Sequence, residues 1–299
     1  MGCIDSNAVL KEEEHFFMKK QTNMMLLSSI ALLSMLPLTT SCGANNQLRI
    51  ALECNYAPFN WTESSQTDYT LPIANKFNQF ADGYDIQIAK LLGEKLNKEV
   101  LIMKTAWESI IPDLQMGTVD LVIAGMTDTP ERRQSIDFSD EYYRSELVLI
   151  TKADIANTYK EPLSSEELGI LINGKVCVSQ AFTVTDDVLD IFKDQYGSVH
   201  ASPLDSFASC ATDVSNGSAF LMTAELPVAE SIVSNNDTLG IIHIDQEILG
   251  EKQSELGVSI GIKKGNEQLK NEVNEALKTI SNKLRTSMMI DAVKRSNNK

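Results

Sequence analysis

Thr129-Pro130-Glu131-Arg132 reads as the opening of a helix, with Thr at the N-cap, Pro at the first helical position and a guanidinium in the first turn. Unpaired backbone N–H groups and the positive end of the helix dipole add to that cation, so the spot favours an anion, a carboxylate above all. Taken alone, Arg132 fits a surface ion pair more readily, and Arg133 beside it faces solvent. Glu225 follows the apolar run 219–223 and stands two residues before Pro227. A carboxylate at the end of a buried strand loses its water and needs a matching cation. Other chemistries have less material. His15, His200 and His243 keep no close company with one another, which leaves little for a zinc site or a histidine-based triad. Cys54 has no paired histidine and is read as a small packed residue, and neither a metal nor a cofactor is expected.

These side chains need a scaffold. At 43% apolar and 22% charged, 299 residues supply one large or two modest domains with real cores, which argues against disorder. Lys and Arg total 26 against 41 Asp and Glu, and a formal charge of −15 works against nucleic acid as a partner. Strand-like runs alternate with helix-period stretches. Strand 48–52 leads to a helix after Asp82-Gly83, with Ile88, Leu91, Leu92 and Leu96 on one stripe, and then to strand 100–103. A helix carrying Trp107, Ile110, Ile111 and Leu114 ends at Gly117, and strand 120–124 runs up to the Thr129 cap. The apolar run 147–150 opens a second set with strands at 175–179, 198–201 and 219–223. Between them lie a helix with Val184, Val188, Ile191 and Phe192 inward and another at 204–216. A strand at 258–262 and two helices close the chain. The rhythm predicts α/β layers with parallel strands, interrupted by one irregular polar insertion at 63–80.

The N-terminus carries an address. From Met18 a basic pair precedes a mostly apolar run of about 15 residues, 24–38, and small residues then lead to Cys42. That run is too short to cross a ~30 Å hydrocarbon core comfortably as a helix. Thr39-Thr40-Ser41-Cys42 resembles a bacterial lipobox, with Thr39 at the usual leucine position and Leu38 one place further away. Residues 18–41 are therefore expected to be a signal peptide, Cys42 the lipidated first residue of the mature protein, and 42–47 its tether. Met1-Gly2-Cys3-Ile4-Asp5-Ser6 also fits a myristoylation pattern, but the leader begins cleanly at Met18, so 1–17 is read as an upstream extension. In the body, Cys177 falls in a strand and Cys210 on a helical face with Phe207, Ala211 and Val214. The spacing allows a buried pair or two separate buried thiols.

Three stretches say more than the rhythm does: ECNYAPFNW at 53–61, WESIIPDLQMGTVD at 107–120 and AGMTDTPERRQSIDFS at 124–139. Together they resemble the family 3 solute-binding proteins of polar amino acid ABC importers. Gly83-Tyr84-Asp85-Ile86 and Tyr142-Tyr143 fit the same family, and the resemblance runs from about residue 48 past residue 283. It implies a two-lobed periplasmic-binding-protein-like (type II) fold, each lobe a mixed sheet flanked by helices, joined by two crossing strands. Lobe 1 would comprise 48–145 and 256–299, and lobe 2 146–255. It further implies capture of a free polar amino acid between the closing lobes and delivery to a membrane permease with its ATPase. The protein would be a monomer, exported and held by lipid at the outer face of the cell membrane.

A free amino acid carries a carboxylate and an ammonium, so its site needs a fixed cation, hydrogen-bond donors and a fixed anion. By resemblance Arg132 takes the carboxylate, with Gly125 and Thr127 adding contacts. Glu225 stands where the family often has Asp and takes the ammonium. Ala181-Phe182-Thr183 replaces the family's Gly-Thr-Thr turn, leaving Thr183 to cap the carboxylate from lobe 2 and Phe182 to narrow the cleft. Tyr56 and Trp107 align with aromatics that sandwich the ligand side chain; as isolated residues both would be core, and Trp107 also continues a helical apolar stripe. Glu53 sits where an acid often meets the distal end of the ligand, which suits Arg, Lys, ornithine or His, and Gln also. Two competitors stand beside this non-enzymatic reading. One is a dehydratase of prephenate-like substrates on the same fold, with Glu225 or Glu53 as acid or base. The other is a sensor ectodomain or adhesin, which would need a separate signalling partner because the chain ends on a polar tail at Lys299.

Overall fold

The computed structural model describes residues 46–297; the expected extension, leader, Cys42 and most of the tether lie outside them. The strands, in chain order, are β1 (Gln47–Leu52), β2 (Asn55–Tyr56), β3 (Asn60–Glu63), β4 (Leu71–Pro72), β5 (Phe80–Asp82), β6 (Glu99–Lys104), β7 (Leu121–Val122) and β8 (Ile136–Arg144). They continue with β9 (Leu147–Lys152), β10 (Val176–Val178), β11 (Val199–His200), β12 (Leu221–Glu225), β13 (Leu239–His243) and β14 (Gly257–Lys263). One sheet has the order β6-β1-β7-β14-β8 and a second the order β11-β10-β12-β9-β13. The first sheet belongs to one lobe, the second to the other. The chain passes from β8 to β9 across Ser145 and Glu146 and returns where Leu256 meets β14.

Both sheets are mixed, as the resemblance implied, so the parallel layers read from the rhythm alone need correction. β1 runs parallel to β6 and β7, and β10 runs parallel to β11 and β12, as β-α-β units require. The strands at the crossings pair antiparallel: β14 with β7 and β8, and β9 with β12 and β13. A strand that enters a sheet from the other lobe arrives without a right-handed helical crossover, so nothing forces it into the parallel sense.

β9 shows why the run at 147–150 reads as continuously apolar. Side chains alternate across a strand, and here Leu147 and Leu149 enter one core cluster while Val148 and Ile150 enter another. Both faces are covered, so both must be apolar. Cys177 and Cys210 belong to different clusters of the same pair, and both are free, buried thiols. Two separate thiols is therefore the arrangement, and burial pushes each up to about 12.

The stripe on the helix Tyr84–Leu96 buries Ile88 and Leu92, with Leu91 and Leu96 half-buried at its edge. In the helix Val184–Tyr196, Leu189 takes the fully buried place and Ile191 is half-buried. The insertion at 63–80 contributes β4 to a small sheet of order β2-β3-β5-β4. The last helix, Asn282–Ser296, expected in lobe 1, touches both lobes. Arg295 pairs with Asp82 at 2.9 Å, and Ser296 meets Ser231 at 2.9 Å on the helix Leu226–Ser234. No helix among the described residues is long and apolar enough to cross a membrane.

Candidate functional site

Arg132 enters through the local structure that its sequence dictates. Thr129 caps the short helix Pro130–Ser135, its hydroxyl accepting from the Arg132 backbone N–H at 3.3 Å. The guanidinium then turns back over its own loop. Nη1 donates to the Thr127 carbonyl at 2.7 Å and to the Thr127 hydroxyl at 2.6 Å, while Nη2 donates across the cleft to the Phe182 carbonyl at 2.8 Å. Its charge lies 5.4 Å from the centre of the Trp107 ring. All of these acceptors are neutral, so burial dominates and lowers the Arg132 pKa to about 10, with Asp187, Glu225 and Glu255 pushing it back. Arg133 instead pairs with Asp128 at the surface.

Glu225 is the last residue of β12 and is 6% exposed. Its Oε2 accepts from the Tyr56 hydroxyl of the other lobe at 2.8 Å. Burial raises its pKa, and the bond from Tyr56 and the charge of Arg132 pull it back. Tyr56 is held for this contact by stacking: Phe59 lies 5.1 Å from its ring on one side and Phe207 5.2 Å on the other. That arrangement differs from the expectation that Tyr56 presents a flat face to a ligand. Both faces are covered, and Tyr56 offers its edge and hydroxyl. Gly125, at φ 58, makes room for it, since a Cβ there would lie 2.7 Å from Tyr56 Cε1.

Glu53 is half-buried at the end of β1 and lies 3.5 Å from the Gln180 amide of the other lobe. Burial raises it to about 7; the Gln180 contact opposes this, Glu108 and Asp205 reinforce it, and Lys104 opposes it. Arg132 is the cation acting on Glu225, whereas Lys104 is the one acting on Glu53. Thr183 caps the helix Val184–Tyr196: its hydroxyl accepts from the Asp186 N–H at 3.2 Å and donates to the Gln180 carbonyl at 2.7 Å. Its hydroxyl is thus already engaged, and Thr183 lines the cavity at the start of that helix.

All eight residues singled out in the sequence, Glu53, Tyr56, Trp107, Gly125, Thr127, Arg132, Thr183 and Glu225, line one narrow cavity. Gln180, Val184 and Phe207 also line it and were not anticipated. Gln180 lies just beyond β10, where ligand contacts in α/β sheets gather, and that rule was the available signal. Phe207 had been placed only on the apolar face of Cys210. The cleft is narrow, bridged by Tyr56–Glu225, Arg132–Phe182 and a longer contact of 3.4 Å from the Trp107 indole to the Phe182 carbonyl.

Two α/β lobes joined by crossing strands, with a cavity walled from both sides, define a two-lobed binding protein of the periplasmic-binding type. The chain belongs to the bacterial extracellular solute-binding proteins, family 3, whose profile matches residues 48–287. ABC transporter arginine-binding protein 1 of Escherichia coli (strain K12) is 27% identical over 198 residues, 66% of this chain and 75% of that protein. Among solved structures, the amino acid ABC transporter substrate-binding protein AbpA from Streptococcus pneumoniae, bound to L-arginine, matches with a TM-score of 0.69 at 25% identity, over 86% of this chain and 98% of that one. The ancestral amino acid-binding protein AncCDT-1, a precursor of cyclohexadienyl dehydratase, matches with a TM-score of 0.65 at 24% identity, over 83% and 96%. That last likeness speaks for the fold alone.

Proposed function

We propose that this protein is the extracytoplasmic substrate-binding component of an amino acid ABC importer and that it takes a cationic amino acid, arginine first. The observation that carries the reading is a single cavity lined by Arg132 and Glu53 from one lobe and by Glu225 from the other. Arg132 and the Thr183 helix start hold the carboxylate, Glu225 the ammonium, and Glu53 with Gln180 the distal cation, with Trp107 as a wall. The arginine named for two similar proteins supports the choice. Binding exchanges the internal partners of Arg132 and Glu225 for those of the ligand, and closure presents a changed surface to the permease and its ATPase. The lobes 48–145 with 256–299, and 146–255, are the moving bodies of a monomer, and no catalytic step is required.

Isothermal titration of the body with arginine, lysine, ornithine, histidine, glutamine and prephenate tests this. Saturable binding of arginine near ~1 μM, about −8.2 kcal/mol, is expected; release of phenylpyruvate from prephenate would replace the reading with a dehydratase. Lipidation at Cys42, after removal of 18–41, places the protein at the outer face of the cell membrane. Cys42→Ser should then move it from the membrane fraction to the soluble one, and retention in the membrane rejects the anchor.

A further inference from the structure

A carboxylate in the first turn of a helix commonly faces that helix's own free N–H groups. Asp85, second residue of the helix Tyr84–Leu96, turns inward and is fully buried, with no cation against it. Its donors are neutral: the Asn60 amide, the Tyr142 hydroxyl and the Gly125 backbone N–H. Oδ2 accepts from the Asn60 amide at 2.8 Å, and Oδ1 accepts from the Tyr142 hydroxyl at 2.7 Å.

Both donors act a second time. The Asn60 Oδ1 accepts the backbone N–H of Cys54 at 2.8 Å, and the Tyr142 hydroxyl accepts the backbone N–H of Gly125 at 3.0 Å. Cys54, at φ 53, is the turn between Glu53 and Tyr56; Gly125, at φ 58, opens the loop that carries Thr127. Both turns stand in the left-handed region: Gly125 adopts it freely, whereas Cys54 gains nothing locally from it and must be held there from outside. Asn60, Asp85 and Tyr142 are each 0% exposed, so water cannot substitute for any member.

We propose that Asp85 is the positioning residue of the ligand cavity: through Asn60 it sets the Glu53–Tyr56 turn and through Tyr142 the Gly125–Thr127 loop, so one buried carboxylate aligns two of its walls. The proposal rests on the reading of that cavity as an amino acid site. Burial raises the Asp85 carboxyl to about 7, against the pull of Tyr142, Asn60 and the Gly125 N–H, as expected for a charge held only by neutral donors. Asparagine at this position would be isosteric, yet would leave one of the two donors facing an amide NH2.

The test uses the wild type, Asp85→Asn, Tyr142→Phe and the double variant, with arginine affinity by calorimetry and melting temperature measured on each. Both single substitutions should weaken arginine by about tenfold, and the double variant should bind no worse than Asp85→Asn alone, because the Tyr142 branch is part of what Asp85 positions. A purely structural residue would lower the melting temperature and leave the affinity of the folded protein unchanged, and that result overturns the proposal. Tyr142→Phe carries the Gly125 branch by itself if Asp85→Asn does not fold. Should the wild type bind no amino acid, the proposed function fails and amide hydrogen exchange by NMR decides this one separately. Tyr142→Phe should then speed exchange at Gly125 and not at Cys54, and Asp85→Asn at both. Wild-type exchange at both amides in Asp85→Asn would refute it.

Discussion

Glu53 and Glu225 are two carboxylates in one cavity, and what faces them separates their roles. Glu225 is deeply buried with the charge of Arg132 acting on it; Glu53 is half-buried and raised to about 7, with Glu108 and Asp205 reinforcing that rise and Lys104 opposing it. A cationic ligand end would need Glu53 ionised, so arginine affinity should fall as pH drops from about 8 to about 6, and Glu53→Gln should reduce that dependence while weakening arginine about tenfold and glutamine little. Stability without ligand should run the other way. A carboxyl raised in the folded state contributes stability that is full below its unfolded value and is lost as pH rises through about 7, and both Glu53 and Asp85 are raised. The ligand-free melting temperature should therefore gain from these two groups between about pH 8 and about pH 6. Thermal unfolding and calorimetric titration on one buffer series measure both signs. Arg132→Ala should weaken every amino acid by at least about tenfold, since the ligand carboxylate is left unpaired in a buried place; equal affinity by calorimetry would remove Arg132 from the site.

The element that sets the cleft width is the turn 181–183. Phe182 holds φ 62 and is 74% exposed, so its side chain gains little from burial while its backbone is strained. Its carbonyl makes the bonds to Arg132 and Trp107. Glycine can adopt that φ freely and keeps the carbonyl. Phe182→Gly should relieve ~1–2 kcal/mol of left-handed strain against ~0.5–1 kcal/mol of added chain entropy, a net gain of up to about 1.5 kcal/mol. Denaturant unfolding checks this, and a loss of stability would show that the ring packs on Trp107 and Met126 more than its exposure suggests. The local elements were legible in the sequence for a local reason. The N-cap at Thr129, the glycine stop at Gly117 and the helical stripes depend on neighbours within a few residues. The hydroxyl of Thr183 is engaged by its own helix and by Gln180, a commitment that only coordinates show.

At the scale of the whole molecule, the cleft is where two bodies meet through few, polar and replaceable contacts. Tyr56–Glu225, Arg132–Phe182 and Gln180–Glu53 all cross it. A ligand that offers a carboxylate and two cations takes over those partners and adds its own, so closure gains differential free energy only when ligand is present. At about 100 times its dissociation constant arginine should stabilise the folded protein by ~2.7 kcal/mol and raise the melting temperature by about 5 °C or more. Differential scanning calorimetry measures it, and an unmoved transition at saturating arginine would contradict the proposed cargo.

The order of strands and helices, the buried faces and the loops bearing Glu53, Gly125 and Arg132 were determined by the sequence itself, because periodicity, caps and turn residues act over short stretches of chain. The direction of β9 and β14, the separation of Cys177 from Cys210, the covering of both faces of Tyr56 and the entry of Gln180 and Phe207 into the cavity were decided only in the tertiary structure. Tyr56 and Glu225 are 169 residues apart, and no local preference of either encodes the other. Such pairs exist because two crossings bring separate lobes face to face, and that path is a property of the packed chain as a whole.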